Sequence, residues 1–241
     1  MHSYTVHPQS TVTTINVGEE QNPLFIIDNW LLNADLLLET ASQASAPIPT
    51  KQHFYPGQQF LAPTPYSAFV CDFLQRKILP LLADSQALQF KDAQSIFSWV
   101  SVRATDLLPI QRIPHIDTHK STQWAVVHYL CGEQSGGTGF FRHRASGFES
   151  INVDRQKRYT RVLEDEAQTL GVPAAQYLQG STRQFELIYQ VPAQLNRAII
   201  YPSNLLHSGL IKRWISEDGQ LSRLTVNSFV QLSPTSPFLI P

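Results

Sequence analysis

Two histidines and an aspartate have the types and spacing that suggest chemistry in this chain. In Pro114-His115-Ile116-Asp117 an imidazole and a carboxylate stand two residues apart. Along extended backbone, residues i and i+2 point to the same side, so both can address one point. A third ligand must come from elsewhere. His207 follows the apolar run Ala198 to Tyr201 and would stand at a strand end. Two histidines and one carboxylate on one face of a metal leave three octahedral positions open, the pattern of non-haem Fe(II) oxygenases. A keto acid can chelate through two of these and O2 can take the third. A local alternative exists as well. His115, Asp117 and His119 share the same spacing and could bind zinc within one segment, although Thr118 to Thr122 reads as the turn that ends the strand.

The elements that must position these residues come from the hydrophobic pattern. The first 20 residues read as a starting strand or a loose arm, and Leu24 to Asp28 as a short edge strand. Asn33 can cap a helix running to about Ser42. Lys51 to Pro65 reads as a long loop. Tyr66 to about Ala83 carries a helical stripe that Pro80 should kink or end. From about Ser95 the texture changes to short alternating runs: Ile96 to Ala104, Gln123 to Leu130, Thr138 to Arg142 after a Gly136-Gly137 turn, Phe185 to Val191, Ala198 to Tyr201 and Leu221 to Leu232. Many short strands with turns between them predict a sandwich or barrel. Arg155 to Gly180 interrupts this pattern as a helical insertion, either a lid or a surface decoration.

These motifs, taken in order, resemble the Fe(II)/2-oxoglutarate-dependent dioxygenase superfamily, of the prolyl-hydroxylase-like type, and within it a bacterial family without an established substrate. The similarity runs from about Ser95 to Leu232. Arg112 to Asp117 is similar to the first ligand strand of that superfamily. Val127-His128-Tyr129-Leu130 followed by Gly136-Gly137-Thr138-Gly139-Phe140 is similar to its "YLN…GGeTxF" stretch. Asn196 to Tyr201, leading to His207-Ser208-Gly209, is similar to the distal-histidine region. Arg223-Leu224-Thr225-Val226-Asn227-Ser228-Phe229 is similar to the strand that anchors the keto acid. The resemblance implies a mainly β fold with a double-stranded β-helix (jelly roll) core and flanking helices. It would form one domain, with residues 1–94 as an N-terminal strand and helices on the core, and 95–232 as the jelly roll with its insertion at about 155–180. It also implies Fe(II), 2-oxoglutarate and O2 as cofactor and co-substrates, with the metal on His115, Asp117 and His207.

The distal carboxylate of 2-oxoglutarate needs a buried cation, and the planar, permanently charged fork of arginine suits it. Arg223, Thr225 and Asn227 alternate on one strand face and would line such a pocket. Relatives place their cation about ten residues after the distal histidine, whereas Arg223 follows His207 by sixteen, with Glu217-Asp218-Gly219 between them. Lys212 and Arg213 stay open as rival anchors. His128 stands where many relatives carry a tyrosine that touches the same carboxylate, and Tyr129, of opposite parity, reads as core. Asp117 favours hydroxylation, because halogenating relatives lack this carboxylate. Two other readings remain: a cupin-type zinc or manganese enzyme, and a non-enzymatic β-sandwich binding module.

The rest of the composition sets bounds. The 241 residues carry a formal net charge of -1 with no basic field, which argues against nucleic acid as a partner. Cys71 and Cys131 are too few for a disulfide framework, and no long apolar run predicts a membrane span. A cytoplasmic protein acting on a small-molecule or peptide substrate is expected. Trp99, Trp124 and Trp214 read as packing residues, and Arg142-His143-Arg144 as an exposed basic turn.

Overall fold

The computed structural model describes residues 4–49, 54–83, 85–213, 215 and 223–235. Trp214 and the Glu217-Asp218-Gly219 stretch lie outside the described residues. Among the described residues ten strands form two sheets. They are β1 (Thr11–Val17), β2 (Asn22–Asp28), β3 (Gly57–Leu61), β4 (Leu88–Val100), β5 (Gln123–Tyr129), β6 (Gly136–His143), β7 (Phe185–Pro192), β8 (Arg197–Pro202), β9 (His207–Ile211) and β10 (Leu224–Pro234). The larger sheet has the order β1-β2-β8-β5-β10-β4-β3, and the smaller β7-β6-β9. Every pairing is antiparallel.

Alternation along the strands divides the side chains between two cores. Ala125 and Tyr129 of β5, Ile199 and Tyr201 of β8 and Phe140 of β6 fill the space between the sheets. Val126, Ile200, Val226 and Val230 point the other way, onto α1 (Ala34–Ser42) and α2 (Thr64–Phe73). Trp30, Tyr66, Val70 and Phe73 complete that second core. On the far side, α3 (Val153–Leu170) covers the outer face of the small sheet through Tyr159 and Leu163. The architecture is therefore a mainly β jelly roll with flanking helices.

Several elements differ from the expectation. β2 is not an edge, since it lies between β1 and β8. The segment expected to be a loop contains β3, whose polar Gln58-Gln59 gives little strand signal but pairs with Trp99 and Ser98 of β4. The pair Gly136-Gly137 opens β6 rather than forming a turn. After Phe73 the chain continues through a π turn at Leu74–Ile78 and a 3-10 turn at Leu79–Leu81, where Pro80 ends the run. The expected Asn33 cap precedes α1, but its side chain makes no capping bond.

One buried carboxylate ties three distant segments together. Glu149, with no exposed surface, accepts from the backbone N–H groups of Glu19 (2.9 Å) and Glu20 (3.0 Å) in the β1–β2 turn and from Nη2 of Arg142 (2.6 Å) on β6. Gly18 takes φ +70° there, and a Cβ on it would collide with the carboxylate. Removing the carboxylate leaves two turn N–H groups without their acceptor, while Arg142 keeps Glu19 (3.0 Å) and Glu186 (3.4 Å) as partners. Glu149→Ala is therefore expected to lower unfolding stability by roughly 1–3 kcal/mol in a urea titration.

Candidate metal centre and co-substrate pocket

Pro114 holds Ile113 extended, at φ -125° and ψ 159°, so the ligand segment runs straight past the start of β9. His115 and His207 exchange backbone hydrogen bonds, each N–H donating to the other's C=O at 2.9 Å. Two residues on, the Asp117 N–H donates to the Ser203 carbonyl at 2.9 Å. These bonds fix the register between two segments about ninety positions apart, and i, i+2 geometry then sends His115 and Asp117 towards the same point as His207.

The ligand atoms of His115, Asp117 and His207 lie within 4.8 Å of one another, and no other such cluster occurs among the described residues. Nε2 of His207 is 3.8 Å from Oδ1 of Asp117, and the two imidazole centroids are 4.5 Å apart. Nδ1 of His207 lies 2.8 Å from the Leu205 carbonyl, which can only accept, so Nδ1 carries the proton and the Nε2 lone pair is free. The Tyr201 ring packs edge-on against His207 at 4.9 Å. His119 goes elsewhere: its Nδ1 lies 3.3 Å from the Ile151 carbonyl.

The electrostatics suit a cation. Burial pushes His207 down to about 4 against the pull of the Leu205 carbonyl. Burial also takes His115 to about 4, reinforced by His207 and opposed by Asp117. Burial raises Asp117 to about 6, opposed by His115. Both His115 and Asp117 are exposed as whole residues, but the Asp117 side chain keeps only 17 % of its surface, so the carboxylate is turned inward. Two neutral imidazoles and a carboxylate short of positive charge form a donor set that a divalent cation satisfies.

Arg223, immediately before β10, and Thr225 and Asn227 on it alternate towards the space between the sheets. Arg223 is 4 % exposed. One Nη2–H donates to the Gly137 carbonyl at 3.1 Å, and its Nε has no partner. Among the described residues no carboxylate pairs with this guanidinium. Lys212 and Arg213, the rival anchors, are both exposed. Thr225 donates to Oδ1 of Asn227 at 3.0 Å, and Asn227 donates to Oγ of Ser98 at 3.3 Å, so these two residues are largely satisfied by the sheet itself. Gly209 shares a face of β9 with His207, and the Arg223 guanidinium reaches that face from the opposing sheet. A Cβ on Gly209 would stand 2.9 Å from Cδ1 of Ile211 and 3.5 Å from Nη2 of Arg223, so the missing side chain keeps open the lane joining the two.

His128 is a correction. It sits on the opposite parity of β5, under the N-terminal helices rather than between the sheets. Its Nε2 lies 3.1 Å from Oδ1 of Asn196, whose two lone pairs require Nε2 to donate, and its Nδ1 therefore accepts from the Tyr66 hydroxyl at 2.9 Å. Tyr129, with the other parity, faces inward, and its hydroxyl donates to Oγ1 of Thr138 at 2.7 Å. Burial lowers His128 to about 4, against the raising effect of Asn196. Because the unfolded chain binds this proton more readily, the stability involved is complete above pH 6.5 and is lost as pH falls through about 4. Full protonation is worth on the order of 3 kcal/mol. His128→Gln is expected to flatten the acid limb of a stability-versus-pH curve, measured by urea unfolding between those pH values.

Other residues at the pocket carried no sequence signal. The Tyr55 hydroxyl donates to the Ser98 carbonyl at 3.3 Å. Burial pushes it up to about 12, restrained by the nearby Arg223 charge. Tyr177 belongs to the same apolar cluster, with Val100, Leu107 and Ile211. His143, expected at an exposed basic turn, is buried and bridges Oγ of Ser146 (2.8 Å) and Oε2 of Glu166 on α3 (2.9 Å). A surface cleft of about 310 Å³ at the C-terminal end of α3, lined by Arg112, Pro173, Leu178 and Arg183 among others, includes none of the three clustered ligands.

Fold and side chains together define a jelly-roll protein with a two-histidine, one-carboxylate cluster between its sheets. The chain belongs to a family of unknown function (DUF6445), whose sequence profile matches residues 8–230. No curated protein matches it. Among solved structures it is similar to HygX from Streptomyces hygroscopicus, with nickel and 2-oxoglutarate bound, at 8 % identity and a TM-score of 0.48 over 90 % of this chain and 85 % of that one. It is also similar to SnoN, the non-heme alpha-ketoglutarate-dependent epimerase of nogalamycin biosynthesis, at 12 % identity and a TM-score of 0.38 over 86 % and 74 % of the two chains. At these values neither likeness bears on the chemistry of this chain.

Proposed function

We propose that the protein is a non-haem Fe(II)- and 2-oxoglutarate-dependent oxygenase that hydroxylates a small-molecule or peptide substrate in the cytoplasm. The observation that carries this reading is a buried arginine without a carboxylate partner among the described residues, reaching from the large sheet to the small one beside Gly209, two residues from His207. A guanidinium costs free energy to bury and is retained where an anion arrives to pair with it. A zinc or manganese hydrolase would use the cluster but would leave Arg223 without a purpose. A binding module would use neither.

His115, Asp117 and His207 would hold the metal. Bound Fe(II) supplies O2 activation coupled to oxidative decarboxylation of the keto acid, and the products are CO2, succinate and a hydroxylated substrate. The protein's own residues do the rest. Arg223 binds the distal carboxylate in two-point fashion through its Nε and Nη groups. Tyr55 offers a hydroxyl beside it. Gly209 leaves room for the carbon chain between that anchor and the ligands. Asp117 occupies a ligand position with its own carboxylate and keeps it from halide. Among the described residues no helix is long and apolar enough to cross a membrane.

The test is spectroscopic. Fe(II) and 2-oxoglutarate added under argon should give a weak visible charge-transfer band with the purified protein. A flat spectrum at saturating metal and keto acid would rule the reading out.

A further inference from the structure

Between α3 and β7, residues 171–180 have no regular secondary structure, yet side-chain bonds hold them at three places. Nη1 of Arg112 donates to the Pro173 carbonyl at 3.0 Å, the Tyr177 hydroxyl to the Val102 carbonyl at 2.6 Å, and Nε2 of Gln179 to the Ile211 carbonyl at 2.5 Å. Most of residues 171–180 are exposed, and only Tyr177 and Leu178 are buried, at 8 % and 6 %. The two point to different places. Leu178 joins Ile113, Ile116 and Leu206 on the outer side of the small sheet. Tyr177 enters the mouth between the sheets and packs with Val100, Leu107 and Ile211, against Tyr55.

That position is the Arg223 end of the pocket. Val100 donates its N–H to the Arg223 carbonyl at 3.2 Å, and Ile211 flanks Gly209 beside Nη2 of Arg223. Tyr177, Val100, Ile211 and Tyr55 thus form the wall beyond the guanidinium. Resting on the keto-acid reading above, we propose that Tyr177 is the end stop of the co-substrate pocket and fixes the length of 2-oxo diacid it accepts. A diacid with one more methylene must drive its distal carboxylate into this wall. Close-packed walls resist an added methylene, and a discrimination of roughly 10- to 200-fold follows from such a fit.

The experiment measures keto-acid binding, not turnover. Wild-type protein with Fe(II) under argon is titrated with 2-oxoglutarate and with 2-oxoadipate, and the charge-transfer band gives both dissociation constants. Tyr177→Leu retains apolar contact without the reach of the ring, and Tyr177→Ala removes both. In each variant the preference for the shorter acid should fall by about 10-fold or more, while the 2-oxoglutarate band persists. Tyr177→Phe keeps the ring and should keep the wild-type preference. An unchanged preference in Tyr177→Leu or Tyr177→Ala, or an equal weakening of both acids, overturns the end-stop role while leaving the oxygenase reading intact. No band from wild type with either acid overturns both.

Discussion

His207→Ala is expected to weaken Fe(II) binding on the order of 100-fold or more, since changes one shell further out from a metal already cost 10- to 100-fold. Of the three proposed ligands, His207 has the most fully determined geometry. Its backbone is bridged to His115 in both directions, its Nδ1 proton is engaged by the Leu205 carbonyl, and its ring rests on Tyr201. The side chain therefore has little rotamer freedom to lose on binding a cation, and a replacement cannot recover its donor from solvent. The backbone bridge does not depend on the side chain, so the fold should persist, which a circular dichroism melt checks. His119→Ala supplies the contrast. His119 faces Ile151 rather than the cluster, and its loss should leave the metal affinity at the wild-type value. If calorimetric Fe(II) titration instead showed His119→Ala losing the metal and His207→Ala keeping it, the local zinc alternative would replace the cluster assigned above.

The contrast between those two histidines shows what the sequence could carry. His115, Asp117 and His119 all share i, i+2 spacing, and spacing alone cannot separate them. Separation comes from the bonds that Asp117 and His115 make to Ser203 and His207, which are contacts of long sequence range. The face of Arg223, Thr225 and Asn227 was legible because strand alternation is local and strict. The same rule exposes the misplacement of His128. Similarity to a motif placed it at the pocket, but one residue of parity on β5 sends it under the helices and turns Tyr129 inward. Strand β3 was hidden because its pairing with β4 supplies what its own polar residues do not. Tyr55 and Tyr177 were hidden for another reason. Each reaches the pocket from an irregular segment, where no periodicity says which way a side chain points.

Arg223→Met is expected to act in opposite directions on binding and on stability. In the keto-acid-free protein the guanidinium is buried, bonded to one carbonyl and left with an unpaired Nε. Such a charge is costly, and a thioether chain of similar length fills the same space without the desolvation. The variant should therefore unfold at the same or a higher urea concentration, by as much as 1–4 kcal/mol where buried ionic groups yield to apolar ones. Binding of 2-oxoglutarate should fall sharply. Removing one member of a buried, hydrogen-bonded charge pair costs roughly 2–5 kcal/mol, which is about 30-fold to several thousandfold in dissociation constant. Fe(II) affinity should not change, because the three ligands are untouched. A residue kept only for the fold would show the reverse, with lower stability and no specific loss of keto-acid binding. Stability that rises as binding disappears marks a group held for its ligand, since the same charge that strains the empty pocket is neutralised when a carboxylate enters.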